Sequence, residues 1–111
     1  MQHAAIIERK IDELRPRFLA MLSARLDRFE QIRDALATSD DPTPLLDELR
    51  VGTHRIVGLA ATLGFADLGR LAQFVELTIL RMSESPPSDQ NCADLFDALD
   101  VLLGEMALLA P

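Results

Sequence analysis

The sequence predicts an all-α protein: an antiparallel up-down four-helix bundle with a short extra helix at its N-terminus, built as a single domain over residues 1–111. Three observations lead there. Apolar residues recur at spacings of three, four and seven along four stretches, the period of an amphipathic helix. No stretch alternates apolar and polar residues, and no hairpin turn appears. Leu and Ala dominate, while the aromatics are five Phe with no Trp or Tyr, a composition that favours helix over sheet. A chain of 111 residues can bury one core and is too short for two. Four amphipathic helices with short joints bury their stripes most simply side by side, each reversed against the last.

The elements follow in order. Leu14, Phe18, Met21, Leu22, Phe29, Ile32 and Leu36 form the first stripe, interrupted by Pro16. Proline is tolerated in a first helical turn but not in an interior. The pattern therefore splits into a short lead helix, about Ala4 to Leu14, and a long helix from about Pro16 to Ala37. The apolar lead segment is expected to cover one end of the bundle. Arg25 falls inside the stripe, where its stem can pack while its head reaches water. Thr38-Ser39-Asp40-Asp41-Pro42-Thr43-Pro44 is a break, with Thr43 placed to cap the next helix and Pro44 at its first position. That helix carries Leu45, Leu49, Ile56, Leu59, Ala60 and Leu63 inward and ends at Gly64, a suitable residue just past a helix end. The next runs from about Ala66 to Met82 with Leu68, Leu71, Ala72, Val75, Ile79 and Met82 inward. Ser83 to Ser88, with Pro86 and Pro87, reads as a polar loop. The last helix spans about Asp89 to Leu109. Its stripe is Cys92, Leu95, Phe96, Leu99, Leu102, Leu103 and Met106, and Asp94, Asp97, Asp100 and Glu105 lie outside it.

Composition narrows the function. With 18 acidic and 11 basic residues the formal net charge is −7, which repels nucleic acid and anionic lipid. The single cysteine, Cys92, excludes an internal disulfide and is expected to be a small buried hydrophobe. No basic start followed by an apolar run marks a signal peptide. The apolar tail from Leu95 to Ala110 is broken by Asp97, Asp100 and Glu105 and is shorter than the roughly 20 residues of a membrane span. The expectation is a soluble cytoplasmic domain. Two separated histidines and one cysteine make no metal-ligand spacing.

His54 is the residue that points to chemistry. At about 100° per residue, the apolar face of its helix centres almost opposite it, so its ring is expected in water. Asp47, Arg50 and Val51 share its neighbourhood one turn back, and Val57, Gly58 and Ala61 follow it. Gly58 costs a helix about 1 kcal/mol relative to Ala. Helical side chains lean toward the N-terminus, so a large side chain at 58 would lean over the imidazole; Gly58 and Ala61 leave that space open. The result is a shallow, partly apolar surface around a nitrogen nucleophile, better suited to docking a protein than to enclosing a small molecule. Free imidazole titrates near neutrality, and its neutral form can attack phosphorus and return the group. The chain has no glycine-rich phosphate loop and no carboxylate cage for Mg²⁺, so the metal and the activated phosphoryl group must come from a partner.

The run His54, Gly58, Leu63-Gly64, Leu68 and Glu76 resembles, in order and spacing, the histidine phosphotransfer (HPt) domains of bacterial multistep phosphorelays. The four-helix pattern and the Phe18 region fit as well. The resemblance implies that His54 accepts a phosphoryl group, through Nε2, and exchanges it with an aspartate of response-regulator receiver domains. A hybrid histidine kinase is a further implied partner. It implies Mg²⁺ on the receiver and no cofactor in this chain, a carrier rather than an enzyme, and a monomer, although outward Leu77 and Leu80 leave room for a dimer seam. Glu76 falls where the family often has a residue that orients the imidazole. One departure stands out: the lysine that usually follows the histidine by three positions is Val57 here. Arg50 shares the His54 face and could supply the cation. The same departure supports an alternative, a docking or decoy module that binds receivers without phosphotransfer. A sensor-kinase phosphoacceptor helix fits poorly, since Arg55 and Gly58 stand where its acidic residue and proline would be.

Overall fold

The computed structural model describes residues 2–84 and 88–111. They form α1 (Gln2–Leu36), α2 (Thr43–Ala60), α3 (Ala66–Glu84) and α4 (Asp89–Leu109), with no strand among the described residues. α2 packs on α3, α3 on α4, and α1 on both α2 and α4, so the four helices close around one core. Phe29, Leu22, Leu49, Ile56, Leu68, Leu99 and Leu102 are among its fully enclosed side chains. Arg28 of α1 pairs with Glu48 of α2, and Arg15 of α1 with Leu63 in the turn that follows α2: as the number falls along α1 it rises along the facing segment.

The first two expected helices are one. α1 runs unbroken through Pro16. A proline there leaves the Asp12 carbonyl without its amide partner, but Asp12 and Pro16 are both exposed, so water can serve that carbonyl. Contacts on either side hold the axis across the proline. Arg15 Nε donates to the Leu63 carbonyl at 2.8 Å, and the Phe18 ring stacks on Phe65 with centroids 5.5 Å apart. The lead segment therefore does not fold over the end of the bundle. It continues straight, and at about 1.5 Å per residue the 35 residues of α1 account for the 53 Å long axis of the molecule.

The start of α2 also differs from expectation. Pro42 occupies the cap, without a side-chain cap bond, and Thr43 is the first helical residue. Proline has no side-chain oxygen to accept a helix amide, so the cap bond expected of Thr43 is absent. At the other end, Gly64 has φ +90°. Its amide reaches the Ala61 carbonyl at 3.4 Å, and the Phe65 amide reaches the Ala60 carbonyl at 2.8 Å. This pair of bonds around a left-handed residue closes the helix end and turns the chain into α3. α3 continues through Ser83 and Glu84. Of the expected polar loop, residues 85–87 lie outside the described residues. Ser88 caps α4, its hydroxyl accepting the Asn91 amide at 3.1 Å.

Several positions depart from the expected stripes, among them Leu14, which is 38% exposed. Leu59 is 45% exposed, because it stands at the edge of its stripe, about 60° round from Ile56. Cys92 is exposed rather than buried; it sits in the first turn of α4 and opens onto a surface cavity shared with Leu36, Pro42 and Leu95. Gly52 and Thr53, not assigned inward from the pattern, are buried. Gly52 lets α1 approach: a Cβ there would stand 2.7 Å from Cζ and 2.8 Å from Cε1 of Phe29, a ring with no room to move at 1% exposure.

Arginines of α1 tie the outside. Arg28 bonds Glu48 through Nε at 2.5 Å and Nη2 at 2.7 Å. Arg33 bonds both oxygens of Asp100, one through Nη2 at 2.9 Å. Each guanidinium, by hydrogen bonding its carboxylate, holds that carboxyl below its ordinary range.

Two outcomes follow from this packing. Overpacking costs about 1–3 kcal/mol and the helix propensity of Ala returns about 1 kcal/mol, so Gly52→Ala is expected to lose up to about 2 kcal/mol in urea unfolding. The two depressed carboxyls stabilise the fold fully above their unfolded values, 4.5 for Glu48 and 3.8 for Asp100. That contribution disappears as pH falls through their lower folded values. Glu48→Gln and Asp100→Asn are therefore expected to lower Tm modestly at neutral pH, by a deficit that shrinks in acid.

Candidate functional site

α2 presents His54 to water with its side chain 73% exposed, while Glu76 on α3 is 17% exposed. Nδ1 of His54 and Oε1 of Glu76 are 2.9 Å apart. The sequence places them 22 positions apart; the α2–α3 seam brings them together. At one end of that seam Ala60 meets α3 at Gly69, where a Cβ would stand 3.5 Å from the Cβ of Ala60. Next to His54, Thr53 is fully buried, and its hydroxyl donates to the Arg50 carbonyl at 3.0 Å. Successive helical residues differ by about 100°. Burying Thr53 in the bundle thus turns His54 to the rim.

The hydrogen bond assigns the ring nitrogens. A carboxylate only accepts, so in the neutral imidazole Nδ1 carries the proton and Nε2 carries the lone pair. Glu76 holds the ring from the protein side, leaving Nε2 for an incoming group. Nothing lies within 4 Å of where a Cβ on Gly58 would be, and Gly58 and Ala61 are both exposed. Bare backbone therefore continues along the helix beyond the ring, as the sequence suggested.

The other expected residues sit differently. Val57 is half-buried and packs against the core, so no cation comes from that position. Arg50 is half-buried and makes no hydrogen bond or ion pair to His54 among the described residues. It lines a cavity of about 410 Å³ with Leu46, Asp47 and Leu80. Arg55, beside His54, is exposed. Neither arginine takes part in an ion pair among the described residues. Leu77 and Leu80 are exposed on the adjoining helix. Sequence reasoning missed Thr53 as the residue that fixes the helix rotation; a β-branched polar side chain inside the apolar arc of a helical wheel was its signal.

Among the described residues no group of three or more His, Cys, Asp or Glu side chains is placed to hold a metal ion, and no helix is long and apolar enough to cross a membrane. Residues 13–107 match the family model described as Hpt domain. No curated protein and no solved structure matches the chain.

The Glu76 contact has a spectroscopic consequence. Nitrogen-15 NMR of the neutral His54 ring is expected to show the Nδ1–H tautomer in the wild type and a mixture shifted toward Nε2–H in Glu76→Ala. An unchanged tautomer in the variant would contradict the assigned role of the carboxylate.

Proposed function

The chain belongs to the Hpt domain family, which serves histidine phosphotransfer in two-component signalling, and on that premise we propose that His54 is its phospho-accepting residue. The observation that carries this reading is the bond from His54 Nδ1 to Glu76, which leaves Nε2 unprotonated and solvent-facing. In the forward step the Nε2 lone pair attacks the phosphorus of an aspartyl phosphate on a receiver domain. The N–P bond forms as the P–O bond to the aspartate breaks, and the carboxylate leaves with the electron pair. The ring, now phosphorylated on Nε2, gains positive charge, and the Nδ1 proton stays hydrogen-bonded to Glu76. The reverse step returns the phosphoryl group to a receiver aspartate.

Each neighbour has a part. Glu76 orients the ring and stabilises its charge. Gly58 and Ala61 leave space for the receiver. Arg50 supplies a cation to the phosphoryl oxygens in place of the lysine that Val57 replaces. Mg²⁺ belongs to the receiver, since transfer depends mainly on positioning and charge stabilisation. The chain is thus a carrier and not a kinase, working in the cytoplasm between receivers and a hybrid histidine kinase. Its helices take an antiparallel up-down arrangement, supported by cross-helix partners whose numbers run in opposite directions. The half-buried Val57 favours one second reading, a decoy that docks receivers without accepting phosphate.

A labelled phospho-receiver is expected to pass label to the wild type and none to folded His54→Gln; acid-labile label persisting on that variant would refute the assignment. Displacing the reacting groups by even 1 Å can cost about a hundredfold, so Gly58→Leu, whose Cβ would meet nothing within 4 Å, is expected to slow transfer at least about tenfold. The decoy reading gives receiver binding with no phosphohistidine signal in phosphorus NMR.

A further inference from the structure

Among the described residues, the buried polar side chains are Thr53 and Thr78. Thr53 has no exposed surface, and its hydroxyl donates to the Arg50 carbonyl at 3.0 Å. Packing alone does not call for that hydroxyl. Ala is a better helix former than Thr, and a hydroxyl taken out of water costs stability unless it is bonded. The acceptor it uses is the informative part. In an α-helix each amide donates to the carbonyl four residues back, and α2 is continuous across this turn. The Arg50 carbonyl is therefore also the acceptor of the His54 amide. The Thr53 hydroxyl enters the backbone bond that holds the residue carrying the imidazole.

A threonine that bonds back to its own helix shares a carbonyl with an amide and bends the axis at that turn. Here the bend falls between Arg50 and His54. The His54 ring stands largely in water, so packing does little to hold it. Its place is set by its backbone and by the bond from Nδ1 to Glu76 at 2.9 Å. Thr78 makes the same kind of bond without the same consequence. Its hydroxyl donates to the Phe74 carbonyl at 2.7 Å, on the flank of α3 that lines a groove against α4. In the helix that carbonyl takes the amide of Thr78 itself, which carries no reacting group.

We infer that Thr53 is a positioning residue for phosphoryl transfer. Its hydroxyl, through the Arg50 carbonyl, sets the backbone of His54 so that Nδ1 meets Glu76 and Nε2 faces the incoming phosphorus. The inference rests on the reading of His54 as the phospho-acceptor and deepens it. Thr53 is buried and reaches neither the reacting atoms nor a docked receiver. Its effect therefore falls on the transfer step and not on receiver binding. Small displacements suffice for such an effect, since about 1 Å of misplacement costs about a hundredfold in rate.

Single-turnover transfer from a labelled phospho-receiver tests this. Thr53→Val keeps the branched shape and removes the hydroxyl; it is expected to slow transfer at saturating receiver at least about tenfold, with receiver affinity unchanged. Thr53→Ala, favourable in a helix, is expected to show the same loss, and Thr53→Ser to recover most of it. Thr78→Val, which deletes the matching bond on α3, is expected to transfer like the wild type. Nitrogen-15 NMR is expected to show a smaller Nδ1–H fraction of the neutral His54 ring in Thr53→Val. Because Thr53 acts through the Glu76 contact, adding Thr53→Val to Glu76→Ala is expected to slow transfer little further. Wild-type rates in Thr53→Val or Thr53→Ala, an equal loss in Thr78→Val, no recovery in Thr53→Ser, an unchanged Nδ1–H fraction, or fully additive losses with Glu76→Ala would each overturn the inference while leaving His54 as the acceptor. A wild type that takes no label would instead remove the phospho-acceptor reading, and the role of Thr53 in transfer with it.

Discussion

The seam between α2 and α3 is the constraint on which the site depends. A carboxylate withdrawn from water needs a donor, and Glu76 finds one in Nδ1 of His54. The ring remains largely exposed while the carboxylate does not, so one hydrogen bond spans the boundary between protein and solvent. The seam is maintained well away from the ring, by Ala60 against Gly69 and by the left-handed turn at Gly64. Thr53 in the interior sets the rotation of α2. Among the glycines of α2 and its closing turn, Gly52 is required by Phe29 and Gly64 by its backbone angle. Gly58 has neither reason, and the space above it adjoins the imidazole.

Charge is divided in a related way. On a chain of net charge −7, cations are outnumbered by carboxylates, so the placement of the arginines matters. Arg28 and Arg33 are committed to Glu48 and Asp100, and Arg33 also lies over the Phe96 ring at 5.3 Å. They fasten α1 to α2 and α4. Arg50 and Arg55 make no ion pair among the described residues, and both belong to the helix that carries His54. Positive charge near the imidazole is thus left available to an anion, within a molecule that otherwise repels one.

Much of this was legible in the sequence because helical periodicity is a local signal. The stripes gave the bounds of α4, the start of α3, the exposure of His54 and the inward course of Ile56 and Val75. The family resemblance pointed to Glu76, although periodicity placed it only at the edge of its helix face; its contact with His54 across the seam required three dimensions. Misreadings arose where tertiary contacts outweighed local preference. Pro16 looked like a break because the bond from Arg15 to Leu63 and the stack of Phe18 on Phe65, both in the turn between α2 and α3, are invisible in sequence. Cys92 and Leu59 satisfied the spacing rule but lie where no neighbouring helix covers them. Gly52 and Thr53 were overlooked because neither is a strong apolar residue, yet the α1–α2 approach and the orientation of His54 rest on them.

α3 ultimately separates two kinds of surface. One side carries Glu76 toward α2 and holds the imidazole; the other carries Phe74 and Arg81 toward α4 and forms a groove without a part in the chemistry. A helix with an apolar arc wide enough for the core usually leaves its outer arc polar. α3 instead keeps Phe74, Leu77 and Leu80 exposed, an arrangement that favours solubility less than contact with other proteins. At about 100° per residue, Leu80 lies toward the Glu76 side of α3, Phe74 lines the groove, and Leu77 stands between them. The two surfaces share one rigid helix but no side chain, so occupancy of the groove need not block the imidazole.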